Sequence, residues 1–262
     1  MSAKTQEIAR GVHWLPLRGT NVYFVRSRGS WVLIDAGFPG AGRTIAEAAE
    51  RLCGAAGRPG SILLTHGHPD HTGAAVGLAE AWDVPILAPA AEMPFISGTR
   101  LYPEPLVFWL GRVLPRRAMD ALVRGSYLGD AVRPFDPQDG APGLPDWTVV
   151  PTPGHTPGHI ALFRPGDRTL ITGDAVLTLA WSSRLGGGGA GWIWDLARRK
   201  TRLSGPPTFV TCDWRDAAAS VVALAELDPW VLATGHGRPL AGRQVAPALR
   251  AFAARVTASP VG

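Results

Sequence analysis

Three of the seven histidines in this 262-residue chain fall within six positions, in the stretch Ser61–Gly73, SILLTHGHPDHTG. An aspartate, Asp70, stands between the second and the third. Imidazole and carboxylate side chains both offer lone pairs to a divalent cation, and together at this density they point to metal ligation. In extended chain, side chains two positions apart share a direction, so His66 and His68 are placed to hold one ion together. Pro69 then turns the backbone toward a helix near Thr72, which is a candidate cap for that helix. Asp70 and His71 sit on the turn and aim elsewhere, at a second ion.

One cluster cannot complete two sites, so the rest of the chain must supply ligands. His155 lies in VVPTPGHTPGHI, Asp174 in TLITGDAV and His236 in VLATGHGRPL. Each follows an apolar run, and each is flanked by glycine, which lets backbone approach closely. Asp35 closes the run LIDAG at the same kind of strand end. It suits the task of orienting a ligand's other ring nitrogen, and Thr156, beside His155, suits a similar one. His13 and His159 read as structural. The donor set contains nitrogen and oxygen and no thiolate, which fits two divalent ions: zinc first, iron or manganese as alternatives. Asp174 and a bridging water are the natural shared ligands.

These residues need strand ends to carry them. VHWLPL, NVYFVRS and WVLIDAG are strand-like and separated by glycine. AGRTIAEAAERLCGAA has helical spacing, with Ile45, Ala48, Ala49 and Leu52 on one face. SILLT is a short, wholly apolar run of the buried-strand type. A helix, TGAAVGLAEAW, and a second buried strand, PILAP, follow it. From about Ala90 to Val132 the rhythm breaks in a mixed apolar and basic stretch, read as an insertion of one or two short helices. Strands resume with WTVVPTPG, HIALFRPG and RTLITGD. A second irregular stretch contains GGGG at 186–189, among Trp181, Trp192 and Trp194, and reads as a flexible rim. The chain then shows a helix, a short strand (WVLATGHG) and a closing helix. Two similar halves meet near residue 140, which suggests two β-sheets face to face with helices outside.

Composition narrows the function. Hydrophobic residues make up 46% of the chain, ample for a core, and the 32 glycines and 24 prolines imply many loops. The net charge is +5, but the basic residues are dispersed; nucleic acid is not the expected partner. Two distant cysteines, Cys53 and Cys212, form no disulfide framework. The first residues lack the apolar core of a leader and no run is long enough to span a bilayer, so the expected location is the cytoplasm, without stable membrane insertion.

In the order LIDAG, THGHPDH, TPGHTPGH, TGD and GHG, these motifs resemble the metallo-β-lactamase-fold hydrolases. The resemblance covers most of the chain. It implies an α/β fold, an αββα four-layer sandwich of two mixed sheets, forming a single domain over 1–262 with the insertion at about 90–132. It further implies that His66, His68 and His155 bind one metal, that Asp70, His71 and His236 bind the other, and that Asp174 lies between them. The expected activity is metal-dependent hydrolysis of a small carbonyl substrate, a lactone, ester or thioester with an apolar acyl group. The attacking group is hydroxide generated from the shared water, and Asp70 passes a proton to the leaving group. Tyr127 is the candidate near the oxyanion. An iron-dependent dioxygenase of the same fold and a β-lactam-hydrolysing enzyme are the alternatives. Against the latter, true β-lactamases of this superfamily generally lack the bridging aspartate. The apolar insertion suits extra core or a homodimer contact, a substrate lid, or a membrane-surface helix.

Overall fold

The computed structural model describes residues 4–54, 57–103, 127–179 and 201–258. These fall into two compact units, one holding the described residues up to Leu101 and from Tyr127 to Trp147, the other Tyr102, Pro103 and the described residues from Thr148 onward. Each unit builds its own mixed sheet and its own core.

The first unit opens with β1 (Gln6–Ala9), β2 (Val12–Pro16), β3 (Asn21–Ser27) and β4 (Ser30–Ile34), an antiparallel meander. Helix α1 (Gly42–Leu52) then returns the chain to β5 (Ser61–Leu63), which pairs parallel to β4. α2 (Pro69–Thr72) and α3 (Ala75–Trp82) lead to β6 (Ile86–Pro89), also parallel, followed by α4 (Met93–Ile96). β7 (Val132–Phe135) completes a seven-stranded sheet in sequence order. β4 to β7 run parallel, and of these β4, β5 and β6 are largely apolar where α1 and α3 cover them. Ile45, Ala48 and Ala49 of α1 and Leu78 and Trp82 of α3 are buried against Phe24, Leu33, Ile62 and Ile86 of the sheet. The apolar face read from the spacing of α1 is thus the face that packs, with Leu52 half-buried at its end.

The second unit holds β8 (Thr148–Pro151), β9 (Ile160–Arg164), β10 (Thr169–Ile171), a two-stranded ribbon of β11 (Leu177–Leu179) and β12 (Thr201–Ser204), then α5 (Trp214–Glu226), β13 (Val231–Ala233), β14 (Leu240–Ala241) and α6 (Val245–Ala258). Its five-stranded sheet runs β14-β13-β10-β9-β8, with the β10–β13 pair parallel and the others antiparallel. Val221 and Leu224 of α5 and Leu249 and Phe252 of α6 are fully buried against Ala161, Leu170 and Leu232. Asp213 caps α5, accepting hydrogen bonds from the Arg215 and Asp216 amides at 2.8 and 2.9 Å.

The structure departs from the sequence expectation in four places. β1 and β14 are short strands that the pattern did not mark, and so is the β11–β12 ribbon. β7 begins at Val132, where the irregular stretch was expected to end, and precedes WTVVPTPG, where strands were expected to resume. It carries Arg133 and Pro134, and proline is tolerated there because β7 is an edge strand. The expected helix 72–82 is α3, which starts three residues later at Ala75, and the short helix α2 precedes it. Thr72 caps neither of them: its hydroxyl donates back to the His68 carbonyl at 3.1 Å, and α3 has Ala74 at its cap position. Residues 104–126 of the expected insertion, and the Gly-rich tract with its tryptophans, lie outside the described residues. Among the described residues no helix is long and apolar enough to cross a membrane.

Candidate functional site

In the first unit, β5 ends at Leu63, and the loop after it, which bends at Thr65 and His66, carries His66 and His68. The His66 Nε2 and His68 Nδ1 atoms lie 3.2 Å apart, so the pair converges. α2 begins at Pro69, where a missing N–H costs nothing, and carries Asp70 and His71. The His71 ring lies 4.2 Å from that of His66, centroid to centroid, and its Nε2 is 3.5 Å from Asp70 Oδ2. His66 and His71 are fully buried and His68 nearly so.

Asp35 organises this group. Its Oδ2 accepts from His71 Nδ1 at 2.8 Å, which leaves His71 Nε2 as the lone-pair nitrogen. The Thr65 amide and hydroxyl donate to the same carboxylate at 2.8 and 2.9 Å. The Thr65 oxygen in turn sits 3.0 Å from His66 Nδ1, so the carboxylate orients one imidazole directly and another through a hydroxyl. Asp35 is buried and holds a left-handed backbone, φ 60°, uncommon for a residue with a Cβ. Strain of that kind, on the order of 1–3 kcal/mol, persists where surrounding contacts over-determine it. The contact expected of Asp35, to a histidine ring nitrogen, is present.

Glu92 was not marked by sequence reasoning. It is fully buried, and its carboxylate accepts the Gly67 amide at 2.9 Å, holding the backbone between His66 and His68. A single glutamate 25 positions from its partner leaves no periodic or motif signal. Tyr127, the oxyanion candidate, lays its ring against Gly98, where a Cβ would come within 2.9 Å of it.

In the second unit three loops converge. His155 lies on the β8–β9 loop, Asp174 just after β10, and His236 just after β13. The parallel pairing of β10 with β13 puts Asp174 and His236 at the same carboxyl-terminal edge, although 62 positions separate them. Asp174 Oδ2 lies 3.0 Å from His236 Nε2 and 3.5 Å from His155 Nε2. One carboxylate oxygen thus stands between two imidazoles, all three residues buried. Gly154 makes the His155 loop feasible. It adopts φ 124°, and a Cβ there would meet the Ala217 backbone nitrogen of α5 at 2.1 Å. The Cys212 and Asp213 amides donate to the His155 and Gly154 carbonyls, fastening the loop to the start of α5. The Thr234 hydroxyl donates to the His236 carbonyl at 2.7 Å.

Thr156, expected to support a ligand, is buried, and its hydroxyl makes no hydrogen bond, so the structure gives it no such partner. His13 is structural as expected, its ring packed 5.4 Å from that of Trp31. His159 lies beside the Asp174 group, and the Asp174 amide donates to its Nε2 at 3.0 Å. Neither cysteine belongs to either group of ligand candidates. Burial pushes the Cys53 thiol up to about 11, so at neutral pH it is protonated and no nucleophile.

The donor chemistry suits divalent ions. Five buried imidazoles and two carboxylates supply nitrogen and oxygen, and Asp35 and Thr65 set tautomers that leave ligating nitrogens available.

Comparison with known proteins agrees with these features. A family model described as "Metallo-beta-lactamase superfamily" matches residues 15–236. The chain is 38% identical over 262 residues to "Probable metallo-hydrolase YflN" of Bacillus subtilis (strain 168), covering 96% of this chain and 93% of the relative. It is 33% identical over 193 residues to a hydroxyacylglutathione hydrolase of Hyphomonas neptunium, covering 73% of this chain and 61% of that protein. Among solved structures, a metallo-β-lactamase family protein from Thermus thermophilus is similar with a TM-score of 0.67 and 21% identity, covering 96% of this chain and 81% of that one. That likeness shows the fold, and it is the α/β class expected from the sequence.

Proposed function

The chain belongs to the metallo-β-lactamase superfamily, a superfamily of metal-dependent hydrolases, and on that basis we propose that it hydrolyses a small carbonyl substrate with two divalent ions, zinc by preference. The observation that carries the reading is Asp174 Oδ2 held between the His155 and His236 imidazoles in a buried, thiolate-free donor set. A carboxylate so placed suits a ligand shared by two cations. On this reading the two units act as one domain, since the family model runs unbroken across both. His66, His68 and His155 take one ion, Asp70, His71 and His236 the other, and Asp174 is common to both.

When bound, such ions acidify water to a pKa of roughly 7 and polarise a carbonyl, so no side-chain nucleophile is required. The remaining work falls to the chain. Asp35 and Thr65 hold the imidazole rings in one tautomer and one orientation. Asp70 is the most exposed of the seven, with 18% of its side chain accessible, and it is the acid placed to hand a proton to the leaving group. The substrate class is a lactone, ester or thioester with an apolar acyl group; the hydroxyacylglutathione hydrolase among the relatives supports a thioester.

A panel of chromogenic esters, lactones, thioesters and a cephalosporin, assayed with and without chelator, tests this. We expect chelator-sensitive turnover of at least one carbonyl ester class, restored by zinc. His68→Ala and Asp174→Ala should each lose metal and nearly all turnover. Either variant retaining activity with its full metal content sinks the assignment, and turnover that needs iron and oxygen would establish the dioxygenase alternative instead.

A further inference from the structure

His159 was read as structural, yet its bonds reach the Asp174 turn itself. The Asp174 amide donates to His159 Nε2 at 3.0 Å. That nitrogen must therefore carry a lone pair, which places the ring proton on Nδ1. Nδ1 in turn lies 2.7 Å from the Thr152 hydroxyl oxygen, which can only be accepting there. Thr152 is fixed by its own backbone: its amide donates to the His159 carbonyl at 2.8 Å, and its hydroxyl leans toward the same carbonyl at 3.4 Å. Thr152, His159 and Asp174 are all buried, with at most 2% exposed. The circuit closes in one tautomer and one ring orientation.

We propose that His159 is a positioning residue for Asp174. Thr152 locks its imidazole as the neutral Nδ1–H form, and Nε2 pins the Asp174 main chain so that the carboxylate is presented between His155 and His236. The rest of the turn leaves this bond a distinct task. The Thr172 hydroxyl donates to the Val176 carbonyl at 2.9 Å and the Gly235 amide to the Gly173 carbonyl at 2.7 Å, so both flanks of Asp174 are tied. Asp174 itself is held at its amide by the imidazole. The inference rests on the ligand role proposed for Asp174 above and adds the group that aims it.

The test measures zinc affinity by competition with a chromophoric chelator, for wild type, His159→Ala, His159→Gln, Thr152→Val, Asp174→Ala and the His159→Ala/Asp174→Ala double variant. Loss of a group that orients a ligand typically weakens metal binding ~10–100-fold, and that is the fall expected for His159→Ala. Thr152→Val keeps the imidazole but frees its tautomer, and should fall in the same direction. It also carries the test should His159→Ala fail to fold. His159→Gln retains a side-chain oxygen able to accept the Asp174 amide and should recover affinity. Because His159 acts through Asp174, the weak affinity that Asp174→Ala leaves, read at high zinc by titration of an indicator dye, should be the same in the double variant. Wild-type affinity in both His159→Ala and Thr152→Val, or an equal loss with and without Asp174, overturns the proposal alone. A wild-type protein that takes up no zinc, iron or manganese overturns the ligand assignment itself, and this inference with it.

Discussion

At the residue scale, the ligand candidates were legible and much of what aims them was not. Histidines in HxHxDH spacing announce themselves, and so does an aspartate closing an apolar run. Asp35 is legible because it directly follows β4, at the end where parallel strands present their functional side chains. Its effect can be isolated. Asparagine fits the same volume and tolerates the left-handed backbone, so Asp35→Asn should fold while removing the charge beside His71 Nδ1. Metal affinity is expected to drop ~10–100-fold, read by chelator competition, with the circular dichroism spectrum unchanged. Glu92 and Thr152 left no trace in the sequence. Each is a polar residue whose meaning comes from buried bonds to a distant main-chain or ring nitrogen, and no period or motif encodes that.

At the element scale, the runs with clear apolar content appeared where expected, because burial on both faces of a parallel strand leaves little choice of residue. NVYFVRS is β3 from end to end, and SILLT delivers β5. Of the missed strands, β7 and β14 carry little burial signal, while the buried β11 is too short a run to stand out. β7 shows solvent both Arg133 and Pro134, and β14 is two residues long. The junction of α5 with the His155 loop supports a mutational test. Asp213→Ala removes the acceptor of two amide bonds at the helix start and should cost ~0.5–2 kcal/mol in urea unfolding. Gly154→Ala should be worse. The new Cβ would meet the Ala217 backbone, so the loop must move, and loss of metal is expected alongside loss of stability.

For the whole molecule, bound ions stabilise the folded chain by mass action, since the unfolded chain holds no such site. Zinc in hundred-fold excess over its dissociation constant adds roughly 2.7 kcal/mol. Chelation should therefore lower the melting temperature, and added zinc should restore it, whereas His68→Ala should melt at one temperature with or without zinc. The net charge of +5 is carried almost wholly by arginine and is spread along the sequence, so low salt should produce no gain in affinity for nucleic acid.

The parallel pairing of β10 with β13 also has a kinetic meaning. Asp174 and His236 meet only after the intervening 62 positions, α5 among them, have been looped back and docked. Such closures are slow compared with hairpin formation. In a refolding experiment, tryptophan fluorescence should recover before the chain can capture zinc from an indicator dye. An apoprotein caught early on that route would have most of its β-structure and no grip on its cofactor, so metal supply during biosynthesis matters at the end of folding and not at its start.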